Sequence, residues 1–229
     1  LSEHAVLLAV ADVMGKGPGA ALFAGTLRTL VRALGEPNLC PARSLTELNE
    51  LMFEQLSSAD MFITMQLAVA DLHRRELKVA NAGHCPLLLS TPRCRTSAIA
   101  PEGMPLGICS DASYSVETVP LPSGASVLLY TDGITEARNR AGRVFGQPRL
   151  EDWLRRAVAR SSTAEQLKHD LLSELDGFRH GDRALDDQTF LILADETPRQ
   201  TEVPWFYNPR WFLPCSVGRG SGGQAHSCR

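Results

Sequence analysis

The sequence predicts an α+β fold: a sandwich of mostly antiparallel strands with helices outside. Three observations point to it. Strand-like segments cluster between a helical pair near the start and another near the end. The strict β-α-β alternation of a parallel doubly wound sheet is absent. Short turn signals also join several of the strand segments, as in hairpins.

Taken in order, His4 to Val10 is an apolar run rich in Val and Leu, bounded by Asp12 and a glycine-rich stretch. It reads as a buried strand ending in a loop. Ala20 to Leu34 carries apolar residues at helical spacing, with Pro18 before it and Gly35 after it. That placement is the usual asymmetry of a helix. A second helix is expected after Pro41, with Ser44 as N-cap and Glu47 completing a capping box, running to Leu56. Phe62–Asp71 and Glu76–Asn81 alternate around a His73-Arg74-Arg75 turn and predict a hairpin. Met61, Phe62 and Met65 read as core.

Pro86–Ser90 follows as a strand. Val116–Leu121 and Ala125–Tyr130 flank Pro122-Ser123-Gly124 and are expected to pair. Leu150–Arg160 and Thr163–Phe178 read as helices, the second capped by Thr163 with Gln166 at the box position. Thr189–Ala194 closes the series as a strand. Residues 1–196 thus form one core domain. Beyond Pro198 the pattern fails, and residues 197–229 are expected to be a disordered tail. Strand-like sequence begins almost at Leu1, which predicts that the domain's first strand or strands are missing.

The 229 residues are 44% hydrophobic and 21% charged, ordinary for a globular chain. A formal net charge of -3 leaves no electrostatic footprint for nucleic acid. The six cysteines form no C-x-x-C pair and no secretory signal precedes them, so reduced thiols and a cytoplasmic location are expected. Apolar runs such as Ala5 to Ala11 are too short to span a bilayer.

Three acidic sites stand at predicted strand ends among small residues: Asp12-Val13-Met14-Gly15-Lys16-Gly17, Thr131-Asp132-Gly133, and Asp186-Asp187-Gln188-Thr189. Carboxylates at strand ends with glycine nearby suit a hard divalent cation. Singly, each is most often a plain turn. The G-x-x-x-x-G-K-[ST] spacing of a phosphate loop is absent.

Together the motifs form a recognisable order. Asp12-Val13-Met14-Gly15-Lys16-Gly17 resembles the D-V-S-G-K-G motif of the SpoIIE-like branch of metal-dependent protein phosphatases, the protein phosphatase 2C class. Asn81-Ala82-Gly83-His84-Cys85-Pro86 is similar to its N-A-G-H-x-P motif, and Pro105-Leu106-Gly107 to its P-L-G turn. Tyr130-Thr131-Asp132-Gly133-Ile134-Thr135-Glu136-Ala137 resembles Y-T-D-G-[IV]-x-E-A. Asp186-Asp187-Gln188-Thr189 resembles D-D-[MQ]-T.

This resemblance implies an αββα sandwich with two Mg²⁺ or Mn²⁺ ions at one end of the sheets. It implies Asp12 bridging both ions, an oxygen from the Val13 carbonyl, and Asp132 and Asp186 as further ligands. It also implies direct attack by a metal-activated water on a phosphoserine or phosphothreonine, without a cysteine nucleophile. Gly133 and Asp187 are expected beside the ligands. His84 reads as structural rather than as a general acid. The substrate implied is a phosphoserine anti-anti-sigma protein in a partner-switching pathway, where dephosphorylation changes charge by about 1.5 to 2.

Two departures stand out: Met14 replaces the usual serine, and the family's earlier G-G-D-x-x-D strand motif has no counterpart before Asp12. The competing reading is therefore a weakly active or inactive truncated phosphatase domain that binds a partner. Lys16 reads either as phosphate-attracting or as a solvated loop residue. Arg138, Arg140 and Arg143 read either as a solvated run or as a grip for an acidic partner.

Overall fold

The fold was analysed in a computed structural model that describes residues 4–34, 39–93, 95–160, 163–180 and 188–196. Asp186, Asp187 and the tail expected over residues 197–229 lie outside the described residues.

Two four-stranded antiparallel sheets lie face to face between two helical layers. The first sheet has the order β1 (Ala5–Val13), β2 (Ile63–Asp71), β3 (Glu76–Ala82), β6 (Glu117–Pro120). The second has the order β5 (Arg95–Ile99), β4 (Leu87–Thr91), β7 (Ser126–Tyr130), β8 (Phe190–Ala194). Helices α1 (Pro18–Ala33) and α2 (Pro41–Ser58) cover the first sheet. Helices α4 (Gln147–Ala159) and α5 (Ala164–Arg179) cover the second, and a single short turn, α3 (Asp132–Thr135), follows β7.

Period-two alternation builds this layering. In β1, Leu8 and Val10 enter the core between the sheets, where Ala68, Val79, Leu87 and Leu129 meet them. Leu7, Ala9 and Ala11 turn the other way, towards the α1 and α2 layer. In β7, Val127 and Leu129 face the first sheet while Leu128 and Tyr130 pack under α4. Met65 sits in the helix-side core, as expected, with Met61 packed against it.

Two local expectations are corrected. Ser44 is not the N-cap of α2: the helix begins at Pro41 with Cys40 in the cap position and no side-chain cap bond. Pro41 fills the first helical position, so the Ser44 amide donates to the Cys40 carbonyl and Glu47 instead pairs with Arg43. The segments around Pro122-Ser123-Gly124 do not pair with each other. β6 joins β3 and β7 joins β4, because buried Leu121 and Ala125 anchor the corner in the core between the sheets. Strand β5 and helix α3 had no clear signal in the sequence. The Thr163–Gln166 capping box forms as expected.

At the turn end of the hairpin, Arg75 binds the Asp195 carboxylate, which also accepts the Gly124 amide at 3.0 Å. This clasp ties the end of the last strand to turns from both sheets.

Candidate active site

Asp12 continues the alternation of Leu8 and Val10, so β1 delivers it to the face between the sheets, at the strand's exposed end. It lies opposite Thr64 on β2, and Val13 lies opposite Ile63. Asp132 opens α3 one residue beyond Thr131, at the corresponding end of the second sheet. Both carboxylates are on exposed residues.

Cys85 lies in the field of both carboxylates. Burial pushes its thiol up to about 11, and the negative charges of Asp132, Asp12 and Glu136 add to the shift. Three acidic side chains, one on β1 and two on α3 and its C-cap, therefore act on one small thiol. Such a thiol stays protonated at neutral pH and is neither a soft metal ligand nor a nucleophile.

His84 is 8% exposed and spans the two sheets. Its Nε2 donates to the Tyr130 carbonyl at 3.1 Å, and its Nδ1 meets the Thr64 hydroxyl at 2.8 Å. The carbonyl can only accept, so a neutral ring must carry its proton on Nε2 and accept from Thr64. Burial lowers the His84 pKa and favours that neutral form. With both nitrogens engaged, the ring is a strut between the strands carrying Asp12's neighbour and Asp132's.

The strut is held from below. Asn81 accepts the His84 amide at 2.7 Å and donates to its carbonyl at 3.0 Å. Gly83 has φ +66°, and a Cβ there would sit 2.7 Å from Pro105 Cγ. A Cβ on Gly103 would sit 2.0 Å from the Asn81 carbonyl oxygen. Asn49, fully buried on α2, accepts the Gly107 amide at 2.9 Å and donates to the Cys109 carbonyl at 2.8 Å.

The residues after Asp186 and Asp187 are pinned beside Asp132. Gln188 donates to the Gly133 carbonyl at 2.9 Å. The Thr131 amide donates to the Thr189 carbonyl at 3.0 Å, and the Thr189 amide donates to the Thr131 hydroxyl at 3.1 Å. Gly133 is itself buried against this segment. Sequence reasoning missed Gln188, Thr131, Thr64 and Asn49 as positioning groups. The first two stood inside recognised motifs, whereas Thr64 and Asn49 gave no local signal.

Asp12 and Asp132 are hard oxygen donors beside a thiol too basic to compete, a donor set that fits Mg²⁺ or Mn²⁺. Among the described residues no three His, Cys, Asp or Glu side chains gather into a ready ligand set. The third expected carboxylate, Asp186, lies outside them.

A sandwich of this topology with acidic strand ends at one edge is the architecture of the protein phosphatase 2C class. The SiaA-PP2C domain of Pseudomonas aeruginosa superposes with a TM-score of 0.74 at 25% identity, over 85% of this chain and 77% of that one. The RsbU and RsbW domains of a Mycobacterium tuberculosis protein give a TM-score of 0.68 at 26% identity, over 86% of this chain and 54% of that one. The chain belongs to the stage II sporulation protein E (SpoIIE) family, whose model matches residues 2–194. Phosphoserine phosphatase RsbU of Bacillus subtilis is 31% identical over 194 residues, covering 83% of this chain and 56% of that protein. Protein IcfG of Synechocystis is 23% identical, and the chain spans 32% of its length. No helix among the described residues is long and apolar enough to cross a membrane.

Proposed function

We propose that the chain is a metal-dependent phosphatase of phosphoserine or phosphothreonine proteins. The observation that carries this reading is the His84 bridge, which ties Thr64, the partner of Asp12 across the strands, to Tyr130, two residues before Asp132. Asp12, the Val13 carbonyl, Asp132 and Asp186 would hold two Mg²⁺ or Mn²⁺ ions. When bound, such ions neutralise charge on phosphoryl oxygens and lower the pKa of a water molecule.

The protein's own residues set up that chemistry. His84 and Thr64 fix the spacing of the two sheets beneath the carboxylates. Gln188 and Thr189, which directly follow the Asp186-Asp187 pair in sequence, are hydrogen-bonded to Gly133 and Thr131 beside Asp132. The protonated Cys85 stays out of the reaction, which agrees with a displacement that forms no covalent enzyme intermediate.

Relatives named phosphoserine phosphatase RsbU and RsbP support a phosphoserine protein as substrate. A small anti-anti-sigma regulator in a partner-switching pathway, met in the cytoplasm, is the substrate this reading favours.

The test is Mn²⁺-dependent phosphate release from p-nitrophenyl phosphate and from a phosphoserine peptide. Asp12→Ala, Asp132→Ala and Asp186→Ala should each reduce turnover by about 100-fold or more, because each removes a charge-stabilising ligand group. A folded parent chain with no metal-dependent release would instead favour a partner-binding module.

A further inference from the structure

A second constellation lies beyond α3, on the side of the α4 and α5 layer. After Thr135 the chain forms a tight hairpin over residues 137–146. Phe145 donates its amide to the Ala137 carbonyl at 2.7 Å, and Gly146 donates to the Thr135 carbonyl at 2.8 Å. Arg138 and Val144 form a bridge across it. The Asn139 side chain accepts the amides of Ala141 at 3.1 Å and Arg143 at 3.0 Å, so the tip is cross-braced. Arg140 donates to the carbonyl of His180 at the end of α5, joining the hairpin to that helix.

Between them lies an open cavity of about 380 Å³, lined by Asn139, Arg143, Arg149, Glu174, Phe178 and His180 among others. Arg149 is held ready there. Its guanidinium stacks 4.5 Å from the Phe178 ring centroid and 5.6 Å from that of Phe145, and the two rings meet edge to face at 5.3 Å. A stacked guanidinium keeps its planar fork available for a carboxylate. Glu174, the one acid of the lining, faces Arg156 at 3.7 Å and so is already engaged.

We infer that this cavity binds acidic side chains of the protein substrate on one flank of its phosphoserine, with Arg143 and Arg149 as the recognising groups. The inference rests on the phosphatase reading for its catalytic readout. Charge argues for it, because Asp12, Asp132 and Glu136 make the reaction end acidic while the cavity offers guanidinium groups. Reach argues for it too. The hairpin is hydrogen-bonded to Thr135, the last residue of α3, three steps from Asp132 and so a rise of roughly 4.5 Å at about 1.5 Å per residue. Side chains two to four residues along an extended peptide lie about 7–14 Å from the phosphoserine.

The experiment compares three phosphoserine peptides, flanked by glutamates, by alanines or by lysines, with p-nitrophenyl phosphate as a small substrate. The parent chain should prefer the acidic peptide about tenfold in kcat/KM, mostly through KM, a difference of about 1.4 kcal/mol. Arg143→Glu and Arg149→Gln should erase that preference and leave turnover of p-nitrophenyl phosphate unchanged. Arg143→Glu should also turn the preference towards a lysine-flanked peptide. Equal use of the glutamate and alanine peptides by the parent, or a preference that survives both substitutions, overturns the inference. If no substrate is turned over, the phosphatase reading is what has failed. Anisotropy of fluorescent unphosphorylated peptides then decides the cavity's role: tighter binding of the acidic peptide, lost in Arg143→Glu, supports it, and equal binding overturns it.

Discussion

Helices α5 and α1 have the same length, 16 residues, yet they are held very differently. α5 buries Leu167, Leu171 and Leu175 and packs with α4, which adds Leu150, Trp153, Leu154, Ala157 and Val158 to the same core. Its first turn is closed by the Thr163–Gln166 capping box. α1 fully buries Leu27 alone, has no side-chain cap, contains Gly19 and Gly25, and leaves Leu22 73% exposed. The sequence is apolar enough for a buried helix, but the surface under α1 is the small-residue face of β1, where Ala9 and Ala11 offer little to pack against. Composition alone does not bury a helix; the partner face must have matching relief. The layer beside Asp132 is therefore rigid, while the helix that follows Asp12 is held by few contacts.

The strongest way to break the comparison is Trp153→Ala. Trp153 is 2% exposed in the centre of the α4 and α5 core, and its loss should cost about 3–5 kcal/mol. Equilibrium urea unfolding measures this, and a loss near 1 kcal/mol would mean that the layer is not the firm one. Leu27→Ala comes next, at about 2 kcal/mol, the low end for a buried leucine. Leu27 borders a groove of about 310 Å³ between α1 and β1, so the site already packs loosely. Hydrogen exchange sharpens the point: α1 amides should exchange well before those of α4, and equal protection would contradict the contrast. Thr163→Ala is the smallest change, at about 1 kcal/mol for a lost cap. The thermal midpoint checks it, and an unchanged value would show that the box adds nothing beyond the packing of α5.

Much of this was legible in the sequence, for reasons that differ by region. The β2–β3 hairpin, both helical pairs and β8 carried strong periodicity and turn residues, and the structure places all of them within a few residues of expectation. The strand-end positions of Asp12 and Asp132 were legible because turn residues and glycine follow them in sequence. The helix start at Pro41 was misjudged because Ser44 and Glu47 imitate a capping box that Pro41 pre-empts. The pairing of β6 and β7 was misjudged because a Pro-Ser-Gly turn reads alike whether the chain reverses within a sheet or crosses to another. Strand β5, with only Ile99 fully buried in Arg95–Ile99, has too little apolar content to announce itself. The His84–Thr64 contact joins a loop residue to a strand residue 20 positions away, a kind of proximity that local pattern does not encode.

The close fit among Gly83, Gly103 and Pro105 carries a consequence for how such a protein can change over generations. Gly83 leaves no room for a Cβ against Pro105, nor does Gly103 against the Asn81 carbonyl. Two short stretches of chain that look like separate signatures are thus one part, with the Asn81–His84 turn and the 103–107 loop as its two halves. A substitution in either half is viable only if the other half yields in the same lineage. Inheritance should treat them as a single character, so that a change at Gly83 or Gly103 arises together with a change in the stretch it faces.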